Sequence, residues 1–270
     1  MTRKQLIQQI QEKKTVLCVG LDPDIDKVPK SIAEKENWIL EFNKAIVDAT
    51  HEYCVAYKPN TAFYESYGSW GWQQFELTVD YIRKNYPKHF VIADAKRGDI
   101  GNTSSRYAKA FFEAMDCHGV TVAPYMGEDS VAPFLQFADR WVILLVLTSN
   151  KGSQDFQGLG GDKKLYQEVI SKAKAWGNPE NLMFVAGATR GEELKKVREE
   201  VGDHFLLIPG VGAQGGDLES VMKNTLLDNG DAGILINSSR GIIYASQADD
   251  FAEAAGLEAR KLSALIKDLM

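Results

Sequence analysis

Phe90-Val91-Ile92-Ala93-Asp94-Ala95-Lys96-Arg97-Gly98-Asp99 passes from a continuous apolar stretch directly into two carboxylates and an ammonium group. The apolar half reads as a strand covered on both faces, the pattern of a parallel sheet rather than of a half-solvated antiparallel one. Side chains alternate along a strand, so Asp94 and Lys96 are expected on one face and Ala95 on the other. Asp99 lies beyond Gly98 at an odd offset from Asp94, past the expected strand end. It need not join the cluster from the same direction and can serve elsewhere, a neighbouring subunit included. An Asp-x-Lys-x-x-Asp match arises by composition alone in roughly one chain in twenty, so the spacing decides little. Its placement at the end of a buried strand points to chemistry, because charged groups are rarely buried unless paired or working.

Runs of the same kind recur along the chain. Val16–Leu21, Val55–Lys58, Gly119–Ala123, Trp141–Leu147, Leu182–Ala186, Phe205–Ile208 and Ala232–Ile236 join Phe90–Ala95 as eight expected strands. Between them, Trp38–Thr50, Phe75–Lys84, Ser105–Met115, Lys164–Trp176, Glu192–Val201 and Leu218–Leu227 carry helical apolar spacing. No hydrophilic linker divides the alternation. An α/β fold is predicted: a single (β/α)8 TIM barrel with an N-terminal helix, residues 1–270 forming one domain.

With 37 acidic against 31 basic residues and a net charge of −6, a general nucleic-acid surface is not expected, since such binding rests on Lys and Arg neutralising phosphates. A local basic pocket for a small anion remains compatible with that balance. Cys18, Cys54 and Cys117 are widely separated and read as small buried hydrophobes in a reducing compartment. His51, His89, His118 and His204 show no ligand spacing, so no metal site is expected. The polar N-terminus and the absence of a long apolar run predict a cytoplasmic protein without membrane contact.

In a barrel of this type the C-terminal strand ends converge on one mouth. Here they are Gly20-Leu21-Asp22-Pro23-Asp24, Tyr57-Lys58-Pro59-Asn60, Asp94-Ala95-Lys96, Thr148-Ser149-Asn150, Pro209 to Gly216, and Asn237-Ser238-Ser239-Arg240-Gly241. The glycines after Pro209 let backbone N–H groups approach an anion, Gln214 can donate, and Arg240 can grip phosphate oxygens with paired hydrogen bonds. A phosphate site is expected at these last two loops. Asp22 reads either as a turn cap or as a contact to a substrate hydroxyl. Lys58 either snorkels to solvent or completes an alternating Lys–Asp–Lys array with Asp94 and Lys96. Ser149–Gly161 is the longest irregular piece and reads as a lid or binding loop.

These residues resemble the orotidine 5′-phosphate decarboxylase family. The resemblance rests on Asp94-Ala-Lys96-Arg-Gly-Asp99-Ile-Gly-Asn-Thr103, the Pro209–Gly216 segment, Leu21-Asp22-Pro23, Thr148-Ser149-Asn150 and the Arg240 turn. It spans nearly the whole chain, and the length and Arg97-Gly98 are similar to the longer bacterial branch. It implies cofactor-free decarboxylation of orotidine 5′-phosphate to uridine 5′-phosphate, the last step of de novo UMP synthesis. By position Lys96 matches the acid that protonates C6 of the pyrimidine, and Asp94 the carboxylate beside the departing CO2. Lys58 and Asp99 match the rest of the charge array. The resemblance further implies a homodimer in which Asp99 and Thr103 enter the partner's site. Asp22 matches a ribose contact and Ser149 a contact to the pyrimidine amide. Pro209 opens the phosphate loop, and Gln214 and Arg240 match the phosphate grip. Lys151 departs from the proline common in related loops, which bears on loop stiffness.

Related barrels with a similar Asp-x-Lys-x-x-Asp act on sugar phosphates with magnesium and are known to use an acidic ligand on strand two, where this chain has Lys58. A Schiff-base aldolase needs a neutral lysine, which neighbouring carboxylates oppose. A nucleotide-binding protein without catalysis would not need the intact charge array.

Overall fold

The computed structural model describes residues 1–188, 191–211, 217–227 and 229–270. In it β1 (Leu17–Leu21), β2 (Ala56–Pro59), β3 (Phe90–Arg97), β4 (Gly119–Val122), β5 (Trp141–Leu147), β6 (Leu182–Ala186), β7 (Phe205–Pro209) and β8 (Ile234–Ser238) pair in sequence order, and β8 closes on β1. Every pairing is parallel. All residues of β1, β2, β6 and β8 are buried, which explains the continuous apolar runs. Their inward side chains fill the barrel and their outward ones meet the helices. Each fully buried Val, Leu, Ile or Phe contributes about 1.5–3 kcal/mol.

Three boundaries differ from the sequence expectation for identifiable reasons. The last strand starts at Ile234 because Ala232 and Gly233 take left-handed φ values of 60° and 68°. Ala232 instead bridges antiparallel to Leu227. The helix expected over Ser105–Met115 begins at Gly101, runs to Lys109 and continues as a π-helical turn, Ala110–Ala114. The helix expected over Phe75–Lys84 covers Gly68–Asn85. Its added turns place Trp70 against Trp38, at 6.3 Å between ring centroids, and Trp72 against Phe75 at 5.4 Å. Aromatic burial thus extends the helix despite two glycines in its first turn.

The N-terminal helix, Arg3–Lys13, starts in a capping box formed by Thr2 and Gln5. It crosses the N-terminal end of the barrel, burying Leu6 and Ile10. Arg3 donates to the Asp203 carbonyl at 2.7 Å and to that of Pro179 at 3.3 Å. The C-terminal helix, Phe251–Leu269, returns against Trp38–Thr50 with Phe251 stacked on Phe42 at 5.3 Å. Among the described residues no helix is long and apolar enough to cross a membrane.

All three cysteines are buried with free thiols. Burial raises each thiol, Cys54 to about 11 and Cys117 to about 12, so they are poor nucleophiles.

His89, His118 and His204 each immediately precede a strand, at the end of the barrel away from the mouth, and each is buried. His118 Nδ1 accepts the Val91 N–H at 3.0 Å, which requires an unprotonated nitrogen. Burial, and then nearby positive charges, lower His118 to about 2; burial, and then Lys13, lower His89 to about 4. Burial lowers His204 as well. An unfolded histidine binds its proton near pH 6.5, whereas these stay neutral when folded. Their contribution to stability is therefore present above pH 6.5 and is lost as pH falls toward about 4. The thermal midpoint is expected to fall steadily between pH 7 and pH 4.5, and a flat midpoint over that range would contradict this reading.

Candidate active site

At the mouth, β2 delivers Lys58 and β3 delivers Asp94 and Lys96. Lys58 is 5% exposed and Asp94 8%. Lys58 Nζ donates to Asp94 Oδ2 at 2.7 Å, and Lys96 Nζ donates to Oδ1 at 2.7 Å. Thr121 on β4 donates through Oγ1 to the same Oδ1 at 3.0 Å and accepts the Lys96 N–H at 2.8 Å. Burial opposes ionisation of Asp94, but the ammonium groups of Lys58 and Lys96 outweigh it and hold the carboxyl well below its usual range. Burial likewise opposes charge on Lys58, yet Asp94 and Asp22 outweigh it and push its pKa up.

A regular strand does not produce this arrangement. Ala93 pairs with Val120 and Arg97 with Val122, so four steps along β3 (97 − 93) match two along β4 (122 − 120). The surplus is taken up in a bulge where Lys96 adopts φ 47°, left-handed and strained for a residue with a side chain. Bulges re-aim side chains beside active sites. Asp94 and Lys96 do meet, as strand alternation suggested, but through a kinked backbone. The Asp94 carbonyl also accepts the Thr61 N–H at 3.3 Å, joining the tips of β2 and β3.

A cleft of about 160 Å³ opens beside the array. Asp22, Lys58, Asp94, Pro209 and Arg240 line it, as does Asn237. Asp22 Oδ1 and Asn237 Oδ1 are buried there with no hydrogen-bond partner among the described residues, so both are acceptors available to a ligand's hydroxyl groups. The tip of β1 is fixed by Tyr244, whose hydroxyl donates to the Asp22 carbonyl at 2.6 Å, and by Tyr64, which donates to Leu21 at 3.1 Å. Gly20 permits close approach: a Cβ there would lie 1.7 Å from Ser239 Oγ, next to Arg240.

Ser149 is half-buried after β5, packed so closely on Gly187 that a Cβ there would lie 2.8 Å from the Ser149 nitrogen. The following loop is more regular than expected. Lys151–Asp155 forms a 3-10 helix, and Gln157 Oε1 accepts the Thr148 N–H at 2.7 Å. Lys151 thus begins an ordered turn.

Asp99 and Thr103 do not reach the array within one chain. The Asp99 carboxylate accepts its neighbour Ile100 N–H at 2.7 Å, and Thr103 is exposed on the helix Gly101–Lys109. Gln214 lies outside the described residues. A larger hollow of about 400 Å³, lined by Gln9, Arg83, Lys88 and His118 among others, sits at the opposite end of the barrel. It holds no comparable alternating charge array and lies away from the strand ends where barrels do chemistry.

The sequence model of the orotidine 5′-phosphate decarboxylase / HUMPS family matches residues 15–255. The chain belongs to this family. It is 56% identical over 273 residues to the orotidine 5′-phosphate decarboxylase of Phocaeicola vulgatus, covering 100% of this chain and 99% of that protein. The Flavobacterium johnsoniae protein of the same name is 56% identical over 263 residues, covering 97% and 96%. The solved structure of Leishmania donovani OMP decarboxylase superposes with a TM-score of 0.83 at 36% identity, covering 99% of this chain and 100% of that one.

Two residues that the structure adds to this candidate site, Thr121 and Asn237, are not singled out by the sequence reading. Thr121 is the one hydroxyl inside Gly119-Val-Thr-Val, a polar interruption that could have marked it. Asn237 stands at the end of β8 beside Arg240, where its position alone was the signal.

Proposed function

We propose that the protein removes CO2 from orotidine 5′-phosphate to form uridine 5′-phosphate, the last step of de novo UMP synthesis, without a cofactor. The observation that carries this reading is the Lys58–Asp94–Lys96 array at the mouth of the barrel. The names of the full-length relatives support it, and their activity is that of a carboxy-lyase.

The C6–carboxylate bond breaks, its electron pair stays at C6, and CO2 leaves. Lys96 then transfers a proton from its ammonium to C6 and recovers one from solvent. Before that transfer the ammonium stabilises developing negative charge more than it stabilises the ground state. Opposite charges about 4 Å apart interact by about 4 kcal/mol at an effective dielectric near 20, a size that matters to a barrier. Asp94 stands beside the substrate carboxylate and, with Lys58, keeps the Lys96 side chain aimed. Asp22 accepts a ribose hydroxyl, Ser149 meets the pyrimidine amide, and Pro209, Gln214 and Arg240 hold the phosphate. Phosphate binding energy from this remote end serves to close the loop at Ser149–Gly161. Residues 1–270 act as one barrel domain, paired as a homodimer that exchanges Asp99 and Thr103.

Lys58 disfavours the magnesium-dependent sugar-phosphate reaction, since it puts an ammonium 2.7 Å from Asp94 where that chemistry calls for an acidic ligand. Turnover of orotidine 5′-phosphate, followed by its ultraviolet change, is expected to be unaffected by a chelator. Loss of turnover on chelation would overturn the cofactor-free reading.

A further inference from the structure

Arg97 is the residue after Lys96, and none of the steps above uses it. Its side chain is 23% exposed, yet it is tied down on several sides. Nη1 donates to the Ala95 carbonyl at 3.1 Å, reaching back across Lys96, and Nη2 donates to Glu65 Oε1. The guanidinium lies 5.4 Å from the ring centroid of Tyr107 and 5.7 Å from that of Phe111. Its own carbonyl accepts the Ala123 N–H at 2.7 Å. Glu65 closes the short helix Ala62–Glu65 that follows Lys58 and Asn60, so the Arg97–Glu65 pair joins the β2 tip to the β3 tip.

We propose that Arg97 is a positioning residue for the reaction: by clasping Ala95 on one side of Lys96 and Glu65 beyond the tip of the neighbouring strand β2, it holds the left-handed turn that places the Lys96 ammonium. A strained φ at a non-glycine residue persists only where its surroundings over-determine it. At Lys96 the restraints are Arg97 on the preceding carbonyl, Thr121 on its own N–H, and Ala123 on the following carbonyl. Arg97 is the restraint that also spans to β2. A lysine in its place could not reproduce the planar fork or stack its head group over the two rings. This inference rests on the decarboxylation reading for its kinetic arm.

The test compares the parent with Arg97→Met, Arg97→Lys, Glu65→Gln and Arg97→Met/Glu65→Gln. A displacement of about 1 Å at a reacting group costs on the order of 100-fold, so Arg97→Met should lower kcat about that much. KM and the Kd for uridine 5′-phosphate should stay within about threefold, because Arg97 touches neither phosphate nor ribose. Arg97→Lys should fall between, Glu65→Gln should lose less, and the double variant should be no worse than Arg97→Met, since both act through one restraint. Acetylation of Lys96 by acetic anhydride, quantified by peptide mass spectrometry against exposed Lys84, reads the same placement without turnover. Its rate should rise about fivefold in Arg97→Met as the held charge-assisted hydrogen bond loosens. Unchanged kcat with unchanged Lys96 labelling overturns the proposal, as does a parallel loss of kcat and product affinity. If the parent fails to decarboxylate, the function reading is lost and the labelling rate alone decides the role of Arg97.

Discussion

Asp94→Asn is expected to abolish measurable turnover and to lower the thermal midpoint by roughly 10 °C. Asp94 is the common partner of Lys58 and Lys96, each 2.7 Å away, and Lys58 is nearly inaccessible to water. Removing the carboxylate charge leaves two ammonium groups facing each other, with the Asp22 carboxylate left as only a partial counter-charge to the buried Lys58. Breaking a buried pair in this way costs about 3–5 kcal/mol. For a protein of this size each kcal/mol corresponds to about 2–4 °C in the midpoint. Adding Lys58→Met to Asp94→Asn removes the stranded charge, so the midpoint should recover while activity should not. Scanning calorimetry and a turnover assay separate the two effects. A single variant as stable as the parent would show that the array is not held by mutual charge.

Mixing subunits gives the second large effect. Lys96→Ala and Asp99→Ala should each be inactive alone. If Asp99 serves the partner's site, equal mixing and re-equilibration places one intact site in every heterodimer. Half of the dimers are heterodimers at random assortment, so recovery should approach about a quarter of parent activity. No recovery, with heterodimers verified by native mass spectrometry, would mean that each site takes its Lys96 and its Asp99 from one and the same chain.

The odd offset of Asp99 was legible as a sequence feature, and one chain leaves its carboxylate on its neighbour Ile100, away from Asp94 and Lys96. Strand order and the converging ends were legible too, because buried parallel strands are written as continuous apolar runs that end in polar residues. What the sequence hid is conformational. Strand alternation brought Asp94 and Lys96 together on paper, whereas the protein does so with a bulge and a left-handed lysine that no spacing encodes. The late start of β8 has the same origin, since Ala232 gives no sign that it will adopt a positive φ. Thr121 and Glu65 were hidden for another reason: each acts on a residue distant in sequence, and only the parallel pairing of neighbouring strands brings them together. Cleft acceptors such as Asn237 were placed by strand position but not singled out, because a lone asparagine carries no spacing signal.

Lys96 carries the chemistry in this reading, so the decisive measurement is turnover of orotidine 5′-phosphate by purified parent and Lys96→Ala at equal concentration, with uridine 5′-phosphate affinity determined for both. General acid catalysis and preorganised charge together set the scale: the variant should be slower by at least about 1,000-fold while binding uridine 5′-phosphate within about tenfold of the parent. A parent that does not release CO2, or a Lys96→Ala protein that turns over as fast as the parent, would contradict the assignment.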